Sequence, residues 1–266
     1  MSRRPSVLPI VVGLLVIFLY LPLIVVVLYA FNGGSNLSWP LHSLGLHWFR
    51  TLFSDPAFSS AFRTSAEVAV VVAVTSAVIA TGAALVFTRF HSPVTRILLV
   101  ITLVPAMLPP LFLAIALFTA MDYFKVQPGF GPIVLGHLLI VIPFVLVVIA
   151  ARLQRLEPEL DEAARDLGAG PLQTFRRITL PLIFPAVAGA ALLAFAFSFD
   201  EVLITNFTSG TTTTLPVYVY SKLHRTIDPS INAVASLLMI VPWVALAISV
   251  PLFRRSTRLA PSEPGE

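Results

Sequence analysis

An all-α integral membrane fold with six spans is what the sequence predicts, on three observations. First, 57% of the 266 residues are hydrophobic and 11% are charged, with a mean hydropathy of +0.92, more apolar than a water-facing domain accommodates. Second, the apolar residues fall into six runs, at about 8–30, 66–87, 97–120, 133–151, 183–204 and 232–253, each near the ~20 residues that a helix needs to cross the hydrocarbon. Third, the basic residues cluster at the ends of those runs, where the positive-inside rule places them. One continuous membrane domain over 1–266 accounts for the whole pattern.

The first run follows Arg3 and Arg4. It exceeds the roughly 7–15 apolar residues of a signal peptide and no small-residue cleavage site follows, so an uncleaved anchor is expected. Counting alternately from there, Arg3, Arg4, Arg89, Arg96, Arg152, Arg155, Arg165, Arg176, Arg177, Arg254, Arg255 and Arg258 fall on one side. Arg50, Arg63, Lys125, Lys222 and Arg225 fall on the other. This imbalance puts both termini in the cytoplasm. The net charge of +4 is thereby explained without nucleic acid.

Between the first two runs, "SWPLHSLGLHWFRTLF" sets Trp39, Trp48, Phe49 and Phe53 among polar residues. The pattern predicts an amphipathic helix at the outer surface, or else a plain connection. Pro105, Pro109, Pro110, Pro143 and Pro242 interrupt later runs. Each removes a backbone donor and kinks its helix, which suits a gated pathway or merely irregular packing.

The long connection at 152–182 is the charged exception in an apolar chain. In "RLQRLEPELDEAARDLG", Leu156, Leu160, Ala163 or Ala164, and Leu167 recur at helical spacing. Pro158 suits a first turn, Glu159, Asp161 and Glu162 suit a helix N-terminus, and Gly168 suits the C′ position. Gly170 and Pro171 then open a second short helix, "PLQTFRRITL". Two short helices meeting at a glycine elbow, with an apolar ridge and small alanines, make a shape for docking into a partner's groove.

Glu162-Ala163-Ala164, three residues, Gly168, nine residues, Ile178, one residue and Leu180-Pro181 resemble the EAA loop of permease subunits in bacterial binding-protein-dependent ABC importers. The resemblance implies the type I importer permease fold, with both termini cytoplasmic and two short coupling helices between the fourth and fifth spans. It implies that Glu162, Ala163, Ala164, Gly168, Ile178, Leu180 and Pro181 couple this chain to an ATPase. The implied partners are a second permease subunit, identical or different, two ATPase subunits and an external binding protein, in the bacterial inner membrane. ATP and Mg would sit on the ATPase, and this chain would hold no cofactor. Neither Lys125 nor Lys222 follows a glycine, so the chain has no phosphate-binding loop of its own.

"FSFDEVLITNFTSG", "LPVYVYS" and "DPSINAVAS" further resemble the spermidine and putrescine class of these permeases, while permeases for iron, thiosulfate or phosphonate compounds share much of the frame. Asp200 and Glu201 lie about 25 Å of helix beyond Ile183 at ~1.5 Å per residue. Charge at that depth faces a cavity or a partner. With Glu67 at the outer start of the second run, the pair is expected to attract ammonium groups, or else to mark the interface. The histidines His42, His47, His91, His137 and His224 are scattered, so no metal site is expected. There is no cysteine, hence no disulfide, and "SGTTTTLP" is expected to be a flexible outer loop. No internal repeat points to an ion-coupled transporter, and no convergent side-chain set points to an enzyme.

Overall fold

The computed structural model describes residues 7–34, 41, 43–157, 159–224 and 229–257, with the backbone alone for residues 7, 8, 10, 242, 245, 246 and 248–257. Arg3, Arg4, Trp39, His42, Pro158, Arg225 and Arg258 lie outside the described residues, as do the side chains of Pro242, Arg254 and Arg255. Every regular element among them is helical. In chain order these are α1 (Val7–Ala30), α2 (His47–Ser54), α3 (Pro56–Arg89), α4 (Pro93–Met107), α5 (Pro110–Phe124) and α6 (Phe130–Leu153). There follow α7 (Glu159–Asp166), α8 (Pro171–Thr174), a π-turn (Phe175–Thr179), α9 (Leu180–Phe199), α10 (Leu203–Thr208), α11 (Leu215–Leu223) and α12 (Ser230–Thr257). Among the described residues four segments, Val11–Ala30, Pro56–Arg89, Phe130–Leu153 and Pro171–Phe199, are long and apolar enough to cross a membrane, and the α4–α5 pair makes a fifth when taken as one span. The protein is a multi-pass membrane protein.

The chain divides into two compact units, the first comprising Met1–Ser60 and Tyr218–Ile240. Here α1 is apolar all round and residues 11–25 are exposed, a surface suited to lipid rather than water. The expected amphipathic helix forms as α2. It buries Leu52 and leaves Phe53 58% exposed. The Trp48 indole Nε1–H donates to the Asn32 carbonyl at 2.7 Å, and Phe49 packs against Phe31 with centroids 5.1 Å apart.

Asp55 separates α2 from α3. One of its oxygens accepts the Ala57 amide at 2.9 Å, capping α3, whose first residue is Pro56. The other accepts the Tyr218 hydroxyl at 2.6 Å and lies 3.8 Å from the Lys222 ammonium. The Tyr218 bond, then the Ala57 amide and Lys222, hold the Asp55 carboxyl below its ordinary value against the opposing effect of burial.

The second unit comprises Ala61–Val217 and Val241–Glu266. Its core joins α3, α6 and α9: Val72, Ala80 and Ala84 meet Val145, Leu146 and Ile149, with Ile183, Ala190 and Ala194 on the third side. In lipid the helices gain little from excluding water. The small side chains matter because they let backbones approach and dispersion contacts form.

The third apolar run does not form one straight span. Helices α4 and α5 are bent by 106° at their junction. Pro109 and Pro110 cannot donate, and Leu108 takes the extended conformation (φ −84°, ψ 139°) that a residue before proline favours. A second departure lies between Pro171 and Leu180. The expected second loop helix is not a separate element but the first turns of one helical segment running to Phe199. Pro181 has no N–H and its ring would crowd the Arg177 carbonyl in a regular helix. The π-turn relieves this, with the Leu180 amide donating to the Phe175 carbonyl.

The fifth span ends at Phe199 rather than at 204, and α10 follows after a break. The segment "SGTTTTLP" is held at its ends, while Gly210, Thr211 and Thr213 between them are exposed. Thr208, Ser209 and Thr214 are buried, the Gly129 amide donates to the Thr208 carbonyl at 2.9 Å, and Gly210 (φ 58°) sits close against Pro128. Helix α10 packs on α5 through Ile204 against Leu113 and Ala114.

Two expectations follow. Because the Asp55 carboxyl lies below its ordinary value in the folded state, its stabilising effect is complete above the unfolded value of about 3.9. It disappears as pH falls through the lower folded value. A Tyr218 signal followed during acid titration in detergent should therefore change in that acid range, and Asp55→Asn should remove the transition; an identical titration in the variant would refute the linkage. On α6, a Cβ added at Gly136 would run into the Ile204 side chain and lie 3.1 Å from Leu117. Gly136→Val should lower the thermal midpoint by an amount matching roughly 1–3 kcal/mol of overpacking, and an unchanged midpoint would disprove the close approach.

Candidate functional site

Helix α6 ends at Leu153, and two tight turns, with the Arg155 amide donating to the Arg152 carbonyl and Leu156 to Leu153, redirect the chain into α7. Glu159, Asp161 and Glu162 occupy the first turn of α7 and Arg165 the last, each sign matched to the helix dipole. The far end closes as the glycine predicts. Gly168 adopts φ 79°, its amide donates to the Arg165 carbonyl at 2.8 Å, and the Ala169 amide donates to Ala164 at 2.9 Å. This pair of bonds is a Schellman closure.

The loop sorts its predicted residues onto two sides. Glu162, Ala163 and Gly168 are exposed, whereas Ala164 is buried; of the two alanines, Ala164 is the inward one, beneath the helix. Ile178 and Leu180 are half-buried and Pro181 is exposed. Leu167 is 89% exposed and Leu172 67% exposed, so a pair of large apolar side chains flanks the glycine elbow without cover from this chain. Arg176 and Arg177 are also exposed.

Beneath α7 lies a cavity of 320 Å³ lined by Arg89, Leu156, Leu160, Asp161, Ile178 and Thr179, among others. Across it the Arg89 guanidinium makes a 2.7 Å ion pair with Asp161 and donates to the Thr179 hydroxyl at 3.4 Å. Nearby, Arg152 donates to the Leu182 carbonyl at 3.4 Å. Neither Arg89 nor its pairing stood out in the sequence, because the partners are far apart along the chain.

The acidic pair sits at the break between α9 and α10. Asp200 ends α9, its amide donating to the Ala196 carbonyl at 3.3 Å, and its side chain is exposed. The Glu201 carboxylate turns inward and accepts the Leu203 and Thr205 amides, both at 3.1 Å. His137 on α6 pins the same break. Its two ring nitrogens are 2.8 Å from the Ser198 and Thr205 hydroxyls, Nε2 is 3.6 Å from Glu201, and the ring is 1% exposed.

A histidine within an apolar run is itself a signal of this kind of bridge, one that the search for ligand spacing passes over. Glu67 is paired with Arg63 at 2.7 Å on the surface of α3. One turn earlier Phe62 packs against Phe199 at 5.9 Å. Among the described residues no group of three or more His, Cys, Asp or Glu side chains is arranged to hold a metal ion.

Against known proteins, residues 76–220 match the family of the binding-protein-dependent transport system inner membrane component. The chain is 36% identical over 231 residues to the putrescine transport system permease protein PotI of Escherichia coli strain K12, covering 84% of this chain and 82% of that one. It is 28% identical to the spermidine/putrescine transport system permease protein PotC of the same strain, covering 91% of each. Among solved structures it resembles a bacterial ABC transporter involved in the import of the acidic polysaccharide alginate (TM-score 0.68, 19% identity, 96% of this chain and 94% of that one). It also resembles the inward-facing MetNI methionine ABC transporter (TM-score 0.62, 18% identity, 76% and 99%). The helical frame, the elbow in its 152–182 loop and these matches lead to one conclusion: the chain belongs to the inner membrane components of binding-protein-dependent transport systems, as a non-catalytic permease subunit of an ABC importer.

Proposed function

We propose that this permease carries a polyamine of the putrescine or spermidine class inward, driven by a separate ATPase that docks on the 152–182 loop. The observation that carries the docking half is the uncovered apolar pair Leu167 and Leu172 on either side of the Gly168 elbow. A protein that must stay folded beside water leaves such side chains exposed where a partner covers them. Glu162, Ala163 and Gly168 form the centre of this contact and Ala164 supports it from beneath. Ile178, Leu180 and Pro181 carry displacement of the loop into α9.

The cargo half rests on the relatives named for putrescine and spermidine transport. Asp200, Glu201 and Glu67 supply the negative field for ammonium groups. Asp200 is the exposed carboxylate of the three, and Glu201 holds the helix break from which it projects. In this reading residues 1–266 form one permease domain of six spans with both termini cytoplasmic, α12 providing the sixth. Its partners are a second permease subunit, identical or different, two ATPase subunits that bind ATP and Mg, and an external binding protein. This chain holds no cofactor or metal of its own.

Leu167→Asp should weaken co-purification with the ATPase by about tenfold or more, as for an interface anchor, while leaving the permease's own melting curve in place, because the side chain touches little else. Undiminished co-purification would refute the docking surface. Asp200→Asn, at the exposed carboxylate, should lower putrescine uptake by the assembled importer without disturbing assembly. Unchanged uptake would remove Asp200 from the pathway.

A further inference from the structure

The loop reaches the spans by two kinds of route, of which chain continuity is one: two tight turns join it to α6, and at its other end Pro171 to Phe199 is a single helical segment. That segment contains an irregular point, since the π-turn at Phe175–Thr179 interrupts the α-helical ladder with an i→i+5 bond. The second route is the Arg89 guanidinium. It joins the last turn of α3 to the first turn of α7 through Asp161 at 2.7 Å, and to the π-turn through the Thr179 hydroxyl at 3.4 Å. Thr179 is 2% exposed, so that bond ends in the packed interior.

The ends that meet have opposite polarity. Arg89 lies at the carbonyl end of α3 and Asp161 at the amide end of α7, so the helix dipoles favour both charges where they stand. Around them the packing is loose, because the 320 Å³ cavity lies between α7 and the span ends. Across this cavity the Arg89–Asp161 ion pair connects α3 to α7.

We propose that Arg89 is a positioning residue that makes α3 move together with α7, so that displacement of the loop by the ATPase reaches two spans at once. One is α9, through the chain; the other is α3, through Arg89 and Asp161. This rests on the loop being the ATPase docking site. Loss of the pair leaves α9 driven through the irregular π-turn and α3 driven only indirectly, through its core packing against α6 and α9.

The test uses the importer assembled with its ATPase and binding protein in proteoliposomes. The chain contains no cysteine, so Val86→Cys on α3 and Asp166→Cys on α7, both exposed, accept a pair of spin labels. With Arg89 and Asp161 intact, the distance between the labels should be the same with and without ATP. In Arg89→Ala it should change on ATP binding, and putrescine taken up per ATP hydrolysed should fall about threefold, the scale of a part-exposed ion pair. The swap of Arg89→Asp with Asp161→Arg should restore both readouts toward the parent, which a merely structural anchor would not require.

A label distance in Arg89→Ala that ATP leaves unchanged, or a swap that couples no better than the single variants, overturns the proposal. Failure of the docking reading is seen separately, as an ATPase that does not co-purify with the parent chain, and it takes this proposal with it.

Discussion

Hydrocarbon offers no hydrogen bonds, so every backbone amide and carbonyl within a span must find its partner inside the protein. This constraint accounts for the helical character of the described chain. It also explains why departures from helix are few and elaborately supported. At the α9–α10 break the amides of Leu203 and Thr205 would lack acceptors, and the Glu201 carboxylate supplies both. The hydroxyls on either side of that break, on Ser198 and Thr205, are in turn tied to one imidazole. The acid and the histidine are thus needed first by the backbone, and any field they create at Asp200 is built on that support.

The same constraint governs the loop at the other end of α9. Pro181 would be costly in a regular helix, and the π-turn converts that cost into a local widening. Widening at this position has a mechanical consequence. A helix that transmits displacement only through its own hydrogen-bond ladder is weakest where the ladder is irregular. The Arg89 contact with Thr179 reaches into that irregular turn and gives it a second attachment. Sequence chemistry, local geometry and force transmission are linked here by one proline.

How much was legible in the sequence follows from the range of the interactions. The Gly168 closure of α7 and its acidic first turn depend on residues within a turn or two of each other and read directly from spacing. The amphipathic α2 was legible for the same reason. Spacing left Ala163 and Ala164 open, however, and grouped the exposed Leu167 with Leu156 on one face. The 106° bend between α4 and α5 was only half legible, because Pro109 and Pro110 announce an interruption without giving its angle, which neighbouring helices set. Least legible were the pairs Arg89 with Asp161 and His137 with Ser198. His137 is marked locally by its place in an apolar run, but nothing local names the partner in either pair, which is set by how the helices pack together. The polar composition of "SGTTTTLP" was half informative, since Ser209 and Thr214 at its two ends are buried while Gly210, Thr211 and Thr213 between them are exposed.

Those long-range pairs also separate two tasks that composition alone merges. Both the 152–182 loop and the Asp200–Glu201 break are charged islands in an oily chain, yet their charges are used differently. At the break, the half-buried Glu201 accepts backbone amides and the buried His137 bridges two hydroxyls, which fixes a geometry. In the loop, Glu162, Arg165, Arg176 and Arg177 stay exposed around bare leucines, which leaves them available to another surface, while Asp161 alone is drawn back to Arg89. The break thus has a fixed geometry and the loop an open surface, and the ion pair beneath α7 fastens that loop to α3.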